Sequence, residues 1–365
     1  MIEYVLELYD SDASWGPNVK QAEVWDARNV GWSRYDRLSG KAFATLPQTS
    51  SYLSKLVGLE THVKVTRVAP SGNVEVFNGL LIDYDSTGDD VVLDVVDYLG
   101  LLSASRCGYK TMYGGTLVSY AMHLEWEKAR TATGSRVAFV ATGACDDYMG
   151  RGSNQLFTNS TFGVMDQMRL AFFYDMSELG RANTTYQSTF EITRTAPFYF
   201  NIWRDQGSAS GVPLILNGNV SDYRYLPGWS YYRNDVATIG QTTGGGATEL
   251  TAVDSAAISD KGLWQDAGVN KNLLGFSGAN AYQDQQAAGT ARMLQRGLQG
   301  GPAIAVQLVR GAIDPYTGWD INDTMQVEIV NGIDNLTGRM RVLGVRCVYD
   351  EAGEGMSLIV GPVLT

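Results

Sequence analysis

The sequence has little cysteine, little histidine and no long apolar run, and each scarcity excludes a class of protein. The three cysteines among 365 residues are too few and too scattered for a disulfide framework or a Cys-x-x-Cys metal site. The two histidines, His62 and His123, have no Asp or Ser at the spacing of a catalytic triad. Apolar runs stay well short of the roughly 18 residues that a membrane helix needs. We therefore expect no enzyme activity, no metal or other cofactor, and no membrane segment.

Basic residues are also scarce, and the formal net charge is −11. A general nucleic-acid binder needs Lys and Arg to displace counterions from phosphates, so that class is not expected. The acidic start of the chain has no basic region of the kind that opens a signal peptide, and we expect folding inside a reducing cell. No basic residue lies between Arg67 and Arg106, where an acidic block includes Asp83, Asp85, Asp89, Asp90 and Asp94.

Glycine and aromatic residues are plentiful, with 41 Gly and 11% aromatics, as is typical of a β-rich folded protein. Two stretches repeat one ten-residue frame, in which Gly, Tyr, Asp and Gly stand at the same places. The positions are Gly79, Tyr84, Asp85 and Gly88 in the first copy, and Gly344, Tyr349, Asp350 and Gly353 in the second.

Strand-like runs flank both copies, so each copy predicts a strand, a tight Asp-x-x-Gly turn and a further strand. Each leading glycine marks a bend or the close approach of another backbone. We therefore expect two related β-barrels, which superpose with Gly79 over Gly344 and Asp85 over Asp350.

The fold class predicted for the whole chain is β-rich α+β, with two barrels and inserted segments. The first barrel spans 1–105, an inserted α+β domain spans 106–185, and the second barrel combines 186–240 with 303–365. The segment 241–302 is predicted to be a largely helical insertion, since Ala287, Ala291, Leu294 and Leu298 recur at helical spacing before Gly300-Gly-Pro302.

Within 106–185, one helix is predicted after a Thr116 cap, with Leu117, Tyr120, Ala121 and Leu124 on one face. A second is predicted after Ser160. Aromatic residues then cluster within ten positions further along the chain: Tyr223, Tyr225, Trp229, Tyr231 and Tyr232. Tyr and Trp in such a cluster fit a protein interface, and they equally fit the stacking of sugars. A carbohydrate-binding β protein therefore stays open as an alternative.

Several stretches together resemble the hub proteins at the tip of tailed-bacteriophage tails, which are related to the trimeric baseplate hubs of contractile tails. They are Trp25–Pro47, Leu59–Val65, Asn78–Ile82, Trp319–Val327 and Gly338–Val345. The chain looks most like the hub-type minor tail proteins of phages that infect Gram-positive, especially actinobacterial, hosts. The likeness covers nearly the whole chain and is weakest between about 106 and 185.

The resemblance implies two tube-like β-barrels in each subunit and a homotrimer whose six barrels let a sixfold tail tube meet a threefold tip. It implies a virion protein assembled in the host cytoplasm, with distal-tail or tube proteins and tail-tip or fibre proteins as partners. Genomic DNA would pass through the ring without specific binding. The nearer alternative is a hexameric distal-tail ring protein, which would have one tube barrel.

The acidic block suggests where a DNA channel would run. Asp83 and Asp85 lie two apart in a predicted strand and so project from one face. Two unpaired carboxylates would not be buried, which places that face against solvent or a channel lumen. Leu80, Ile82 and Tyr84 are then expected to pack the barrel interior. Asp89, Asp90 and Asp94 are further candidates for the lumen, and an ordinary solvated outer face is the alternative reading.

Overall fold

In the computed structural model, the structure describes residues 2–107, 117–146, 168–181, 188–226, 303–332 and 334–363. It also describes short segments at 111–113, 160–164, 235–241, 247–253, 265–266 and 275–278, with single residues at 255 and 259. Strands dominate these residues, which confirms the β-rich fold class. The division into two barrels stays a prediction.

The strands in chain order are β1 (Glu3–Ser11), β2 (Pro17–Val24), β3 (Asn29–Tyr35), β4 (Lys41–Pro47), β5 (His62–Ala69), β6 (Gly72–Thr87), β7 (Asp90–Asp97), β8 (Thr111–Tyr113), β9 (Ala141–Cys145), β10 (Ser160–Val164), β11 (Thr189–Ile192), β12 (Tyr199–Trp203), β13 (Leu214–Ile215), β14 (Val220–Leu226), β15 (Asp235–Gln241), β16 (Ala247–Val253), β17 (Gln265–Asp266), β18 (Gly275–Gly278), β19 (Ala303–Leu308), β20 (Thr324–Asn331), β21 (Asp334–Asp350) and β22 (Gly353–Pro362). The helices are α1 (Val118–Thr131) and α2 (Arg169–Arg181), with 3₁₀ turns at Ser51–Lys55 and Gly100–Ala104.

One sheet of 13 strands contains both ends of the chain. Its order is β14-β19-β22-β21-β3-β4-β7-β6-β5-β1-β2, with β20 beside β21 and β13 beside β20. Strands from the first hundred residues and from the last hundred and fifty meet where β3 pairs antiparallel with β21. The two ends of the chain therefore form one continuous sheet.

The sheet contains the same five-stranded arrangement twice. In the first repeat unit, β3 to β7 lie in the order β3-β4-β7-β6-β5, and in the second, β14 and β19 to β22 lie in the order β14-β19-β22-β21-β20. Every neighbouring pair inside both units is antiparallel. Each unit has one long strand, β6 or β21, which pairs first with the strand before it and then with the strand after it. The repeat seen in the sequence is thus also a repeat of strand order.

Alternation along the strands builds the core of this sheet. In β7, Val91, Leu93 and Val95 are buried while the residues between them are more exposed, and β19 buries Ile304, Val306 and Leu308 in the same way. Such a period of two gives a strand one apolar face and one open face. The apolar faces of both repeat units join in a single hydrophobic cluster.

A second hydrophobic cluster lies in the segment that follows the first repeat unit. It is formed by α1, α2 and the three-stranded sheet β11-β12-β9. β12 pairs in parallel with β9, so Thr189–Trp203 packs with the α+β segment and not with the strands of the second unit. We therefore propose a boundary near residue 204 in place of the one expected at 185/186.

Both helices of this segment differ in detail from their prediction. In α1, Tyr120 is half exposed while Met122 and Trp126 are fully buried, because the apolar face is rotated from the expected stripe. Ser160 lies in strand β10, and the second helix begins only at Arg169. The predicted cap Thr116 lies outside the described residues.

The insertion predicted as largely helical lies between β14 and β19 of the second unit. Its described parts are the strands β16, β17 and β18, the end of β15, and the single helical residues Ser255 and Ser259. The helix predicted through Ala287 and Leu298 lies outside the described residues.

Candidate functional site

The junction between the two repeat units is the first candidate feature. β3 lies along the end of β21 from Tyr35 opposite Gly344 to Val30 opposite Tyr349. Trp32 and Cys347 face each other on the core side, and both are fully buried. The end of β21 therefore has a strand on each side, β22 and β3, and a core beneath it.

A buried ionic network ties the same two units together beneath the sheet. Arg67 of β5 donates two hydrogen bonds to the Glu354 carboxylate of β22, at 2.7 and 2.9 Å, and also contacts Asp314 at 2.8 Å. Tyr4 donates to Glu354 at 2.5 Å. Burial raises the pKa of Tyr4 far above its ordinary value, so this hydroxyl keeps its proton. Breaking one partner of such a pair leaves a charge buried, and the two units are thereby held as one body.

The network was missed from the sequence, although a signal was present. Every second residue of β5 from Val63 to Arg67 is buried, and Arg67 follows Val63 and Val65 at such a position. Glu354 likewise stands at a buried alternate position of β22, before Met356 and Leu358. A charge at a core position of a strand needs a partner, and the two charges of opposite sign pair across the fold.

The open face of the sheet, which lies opposite the hydrophobic core, is the second candidate feature. Paired residues of antiparallel strands share a face, so Asp83 and Asp94, which lie directly opposite each other, belong to it together with Asp85. All three are exposed. The same register places basic residues on this face too, namely Lys41 of β4, Arg224 of β14 and Arg346 of β21. The face therefore has acids concentrated in the first repeat unit and a mixed charge in the second.

The two remaining acids of the block differ from each other. Asp90 forms an ion pair with Arg28 at 2.9 Å, with both side chains more than a third exposed. Asp89 lies in the loop between β6 and β7 and is exposed. These acids lie at the tip of the hairpin rather than in the middle of the open face.

The residues expected to form one interior face of β6 do not share a face, because a bulge between Leu81 and Asp83 shifts the register and Leu81 packs the core cluster in place of Leu80. Leu80 is buried and Ile82 is half-buried, but the Tyr84 side chain is 49% exposed. Tyr84 lies opposite Leu93, on the core side of the sheet, yet β6 has by then run past β5, so one edge of β6 has no described strand beside it. The expectation that Tyr84 packs the interior is therefore wrong for the single chain.

The repeated turn positions occupy two different turns. In the second unit Asp350 pairs with Gly353, and Asp350 Oδ1 accepts the N–H of Ala352 at 2.8 Å, as expected for an Asp-x-x-Gly turn. In the first unit the strand continues past Asp85 to Thr87, which pairs with Asp90, and the loop is Gly88-Asp89. Gly88 has a φ of 63°, a conformation that glycine adopts without steric cost.

When the two hairpins are aligned on these closing pairs, Asp350 corresponds to Thr87 and, counted back along the strand, Gly344 corresponds to Leu81. The sequence led us to expect Asp350 over Asp85 and Gly344 over Gly79, which is two residues out of register. Tyr349 is half-buried against the core cluster, unlike the exposed Tyr84. The leading glycines do mark close approaches: a Cβ on Gly79 would lie 2.1 Å from the Val96 carbonyl oxygen.

Only part of the aromatic cluster lies in the described residues. Tyr223 and Tyr225 are half-buried against the core, and Tyr223 donates to Asp334 Oδ2 at 2.7 Å. Trp229, Tyr231 and Tyr232 lie outside the described residues.

Few groups in the described part of the chain have a chemical environment suited to catalysis. His62 is fully buried between Tyr98 and Ser11, and burial lowers its pKa to about 4, so its ring is neutral near pH 7. No three His, Cys, Asp or Glu side chains among the described residues are grouped to hold a metal ion. None of the described helices has the length and apolar character to cross a membrane.

The chain has the fold of phage tail proteins. It matches the 43 kDa tail protein of prophage MuSo2 from Shewanella oneidensis with a TM-score of 0.62 and 14% identity, covering 98% of both chains. It matches a tail protein from Neisseria meningitidis MC58 with a TM-score of 0.58 and 10% identity, covering 99% of this chain and 98% of that one.

A chain in the half-lidded Francisella PdpA–VgrG complex matches with a TM-score of 0.57 and 7% identity, covering 100% of this chain and 58% of that one. No family model and no curated protein matches the sequence. The resemblance found in the sequence is thus confirmed at the level of the fold.

Proposed function

We propose that this chain is a structural subunit of a phage tail, the hub at the distal end, where three copies form a ring that joins a sixfold tail tube to a threefold tip. The observation that carries the proposal is the doubled five-stranded unit. One chain with two equivalent units can occupy two positions of a sixfold ring, and heterologous contacts between copies then close the ring. The shared fold of the tail proteins compared above supports the same role.

The strand pairing and the ion pair between the units fit this role. Two units that move independently would not hold a fixed angle, whereas the continuous sheet and the buried Arg67–Glu354 pair fix the angle between them. Each copy would then supply one rigid third of the ring. The partners in this proposal are other copies of the chain, tube or distal-tail proteins on one side, and tip or fibre proteins on the other.

The open face is the surface that we propose for the DNA channel. The acids Asp83, Asp85 and Asp94 on this face are exposed and would repel a passing polyanion. The arginines Arg224 and Arg346 share this face, so the proposed lumen is acidic at one level rather than throughout. In an assembled ring imaged by electron microscopy, these acids should point into the central opening. An opening lined instead by the α+β segment contradicts the channel assignment.

The mass of the assembly tests the ring itself. Native mass spectrometry of the purified chain, alone and with a tube protein, should show three times the 39.8 kDa chain mass. Images of the particle should show three copies and six similar units. Six copies would favour the distal-tail ring alternative, and a monomer at every concentration would contradict both. The half-buried state of Tyr223 and Tyr225 gives the carbohydrate-binding alternative no support.

A further inference from the structure

Among the open strand edges in the described residues, two belong to the repeat units and correspond to the two halves of the β3–β21 junction. β6 has β5 beside it only as far as Leu80, so from Ile82 to Thr87 its one strand neighbour is β7. β14 has β19 along one side and forms the end of the sheet. An open strand edge presents unpaired N–H and C=O groups that readily accept another strand.

The junction inside the chain shows what such an edge accepts. β3 of the first repeat unit pairs with the end of β21 in the second. By the repeat, β14 is the counterpart of β3, and the end of β6 is the counterpart of the end of β21. The intramolecular junction therefore has a second, unfilled version, formed by β14 and the end of β6.

We infer that the ring closes when β14 of one copy adds antiparallel to the Ile82–Thr87 edge of β6 in the next copy. This inference rests on the proposed ring and specifies the surface by which a second copy of the chain is bound. Each junction between copies would then repeat the β3–β21 junction inside each copy, and the sheet would run unbroken around the ring.

The closing pairs of the two hairpins fix the register of this contact. Ser33 lies opposite Arg346 and Trp32 opposite Cys347 in the chain's own junction. In the repeat, Arg224 and Tyr223 of β14 correspond to Ser33 and Trp32 of β3, and Asp83 and Tyr84 of β6 correspond to Arg346 and Cys347 of β21. The junction between copies therefore places Arg224 opposite Asp83 and Tyr223 opposite Tyr84. A shift of the partner strand beyond Leu81 is blocked, because the Leu81 N–H already donates to the Thr61 oxygen at 2.9 Å and its oxygen accepts from Leu59 at 2.8 Å.

The side chains that meet in this register are complementary. Arg224 and Asp83 have opposite charges, and both are exposed on the open face in the single chain. Asp222 would face Asp85, a like-charged pair, but Arg224 lies diagonally across from Asp85 and offsets it. On the core side, the exposed Tyr84 ring would meet the half-buried Tyr223, an aromatic pair of the kind that stabilises sheets.

At the centre of the contact, one backbone amide on each strand donates the same local hydrogen bond to the preceding aspartate. The N–H of Tyr84 donates to Oδ1 of Asp83 at 2.8 Å, and the N–H of Tyr223 donates to Oδ1 of Asp222 at 2.8 Å. In both strands a neighbouring carboxylate thus occupies an amide that a ladder partner would otherwise take. In the inferred register these two amides belong to residues that lie directly opposite each other.

Disulfide trapping between differently tagged copies tests the inference. One full-length copy has Asp83→Cys, the other has Arg224→Cys, and both have Cys145→Ser to remove the exposed native thiol. These positions form a non-hydrogen-bonded pair with Cα atoms about 4.5 Å apart, which a disulfide can span. Mild oxidation of the mixture should give a two-copy product, and neither variant alone should give one. The matched control replaces Asp83→Cys by Tyr84→Cys, whose side chain leaves the opposite face and should not link to position 224.

The outcomes separate this inference from the proposed function. A trimeric mass with linkage at 83–224 and none in the control supports both. A trimeric mass without that linkage, or with equal linkage in the control, overturns the inferred junction and leaves the ring standing. A chain that never forms a trimer overturns both. As a second measurement, Arg224→Asp should weaken association by at least about tenfold, and Asp83→Arg in the same chain should restore it. Thermal unfolding of each variant shows whether the single chain stays folded.

Discussion

The ends of the two long strands, β6 and β21, have the same place in the repeat and opposite surroundings. The end of β21 lies between β22 and β3, and its Cys347 is 1% exposed. Among the described residues, the end of β6 has β7 on one side only, and its Tyr84, the counterpart of Cys347, is 49% exposed. Two copies of one design thus differ by one missing strand. This difference between the units is the one that the inferred junction between copies would remove.

The largest effect is expected from the buried pair that holds the two units together. Arg67→Ala should lower the free energy of unfolding by about 3–5 kcal/mol, because it leaves the Glu354 carboxylate buried without its cation. Urea unfolding followed by circular dichroism measures the change. The matched control is Arg28→Ala, which breaks the exposed pair with Asp90 and should cost no more than about 1 kcal/mol. Equal losses in both variants would show that the buried network does not hold the units.

A second, smaller effect is a loss of stability at low pH, which should affect the first unit and not the second. Burial lowers the pKa of His62 in β5 to about 4, below its ordinary value of about 6.5. Between these values the unfolded chain binds a proton that the folded chain does not, so stability falls as the pH falls through this window. The full loss is about 3 kcal/mol.

The His62 contribution is local to the first unit, since β20, the counterpart of β5, contains no histidine. Hydrogen exchange at pH 5 should therefore accelerate in β5 before β20. The variant His62→Gln cannot take up the proton and should show a smaller difference between pH 7 and pH 5. An unchanged pH dependence in that variant would refute the assignment to His62.

The repeated glycines should respond unequally to alanine. A Cβ on Gly79 would lie 2.1 Å from the backbone oxygen of Val96, whereas a Cβ on Gly344 would meet the Tyr35 ring at 2.5 Å. A ring can rotate away and a paired strand cannot, so Gly79→Ala should approach the upper end of the roughly 1–3 kcal/mol cost of overpacking, and Gly344→Ala the lower end. Thermal unfolding of the two variants measures the order, and the reverse order would show that β7 yields more easily than Tyr35.

The smallest effect has the opposite sign. Asp83 and Asp94 are like charges directly opposite each other, while the corresponding pair in the second unit is Arg346 and Ser357. Asp94→Ser makes the first unit resemble the second and should stabilise the chain by a few tenths of a kcal/mol at low salt. The gain should fade above about 0.15 M salt, where screening is strong. A gain that is insensitive to salt would point to a cause other than charge repulsion.

The sequence indicated local features of this fold well. A period of two along the chain predicted the strand alternation and the shared face of Asp83 and Asp85. Turn chemistry predicted a hairpin at each of the two frames. Both signals are properties of adjacent residues. The position of the turn within each frame could not be predicted, because the same Tyr, Asp and Gly positions occur in two turns that are placed differently. At Asp350 the turn lies between the Asp and the Gly, whereas Gly88 itself opens the loop after Thr87.

Contacts between distant segments were beyond sequence reasoning of this kind. The pairing of β3 with β21 joins residues some three hundred positions apart, and no local pattern specifies it. The placement of β11 and β12, for which we propose the α+β segment, was out of reach for the same reason, since their alternation fits either sheet. Arg67 could have been found, because a charge in the buried phase of a strand requires a partner, although the partner itself could not.

The carboxylates that cap the edge amides of β6 and β14 have a consequence for the chain before it assembles. A bare strand edge recruits any extended segment, including those of other unfolded chains, and this is a common start of aggregation. Asp83 and Asp222 each occupy the amide at the centre of an open edge and place a negative charge beside it. In the ring inferred above, these charges would keep a single copy from pairing its open edges with unrelated strands before the next copy, with Arg224 facing Asp83, adds to the sheet.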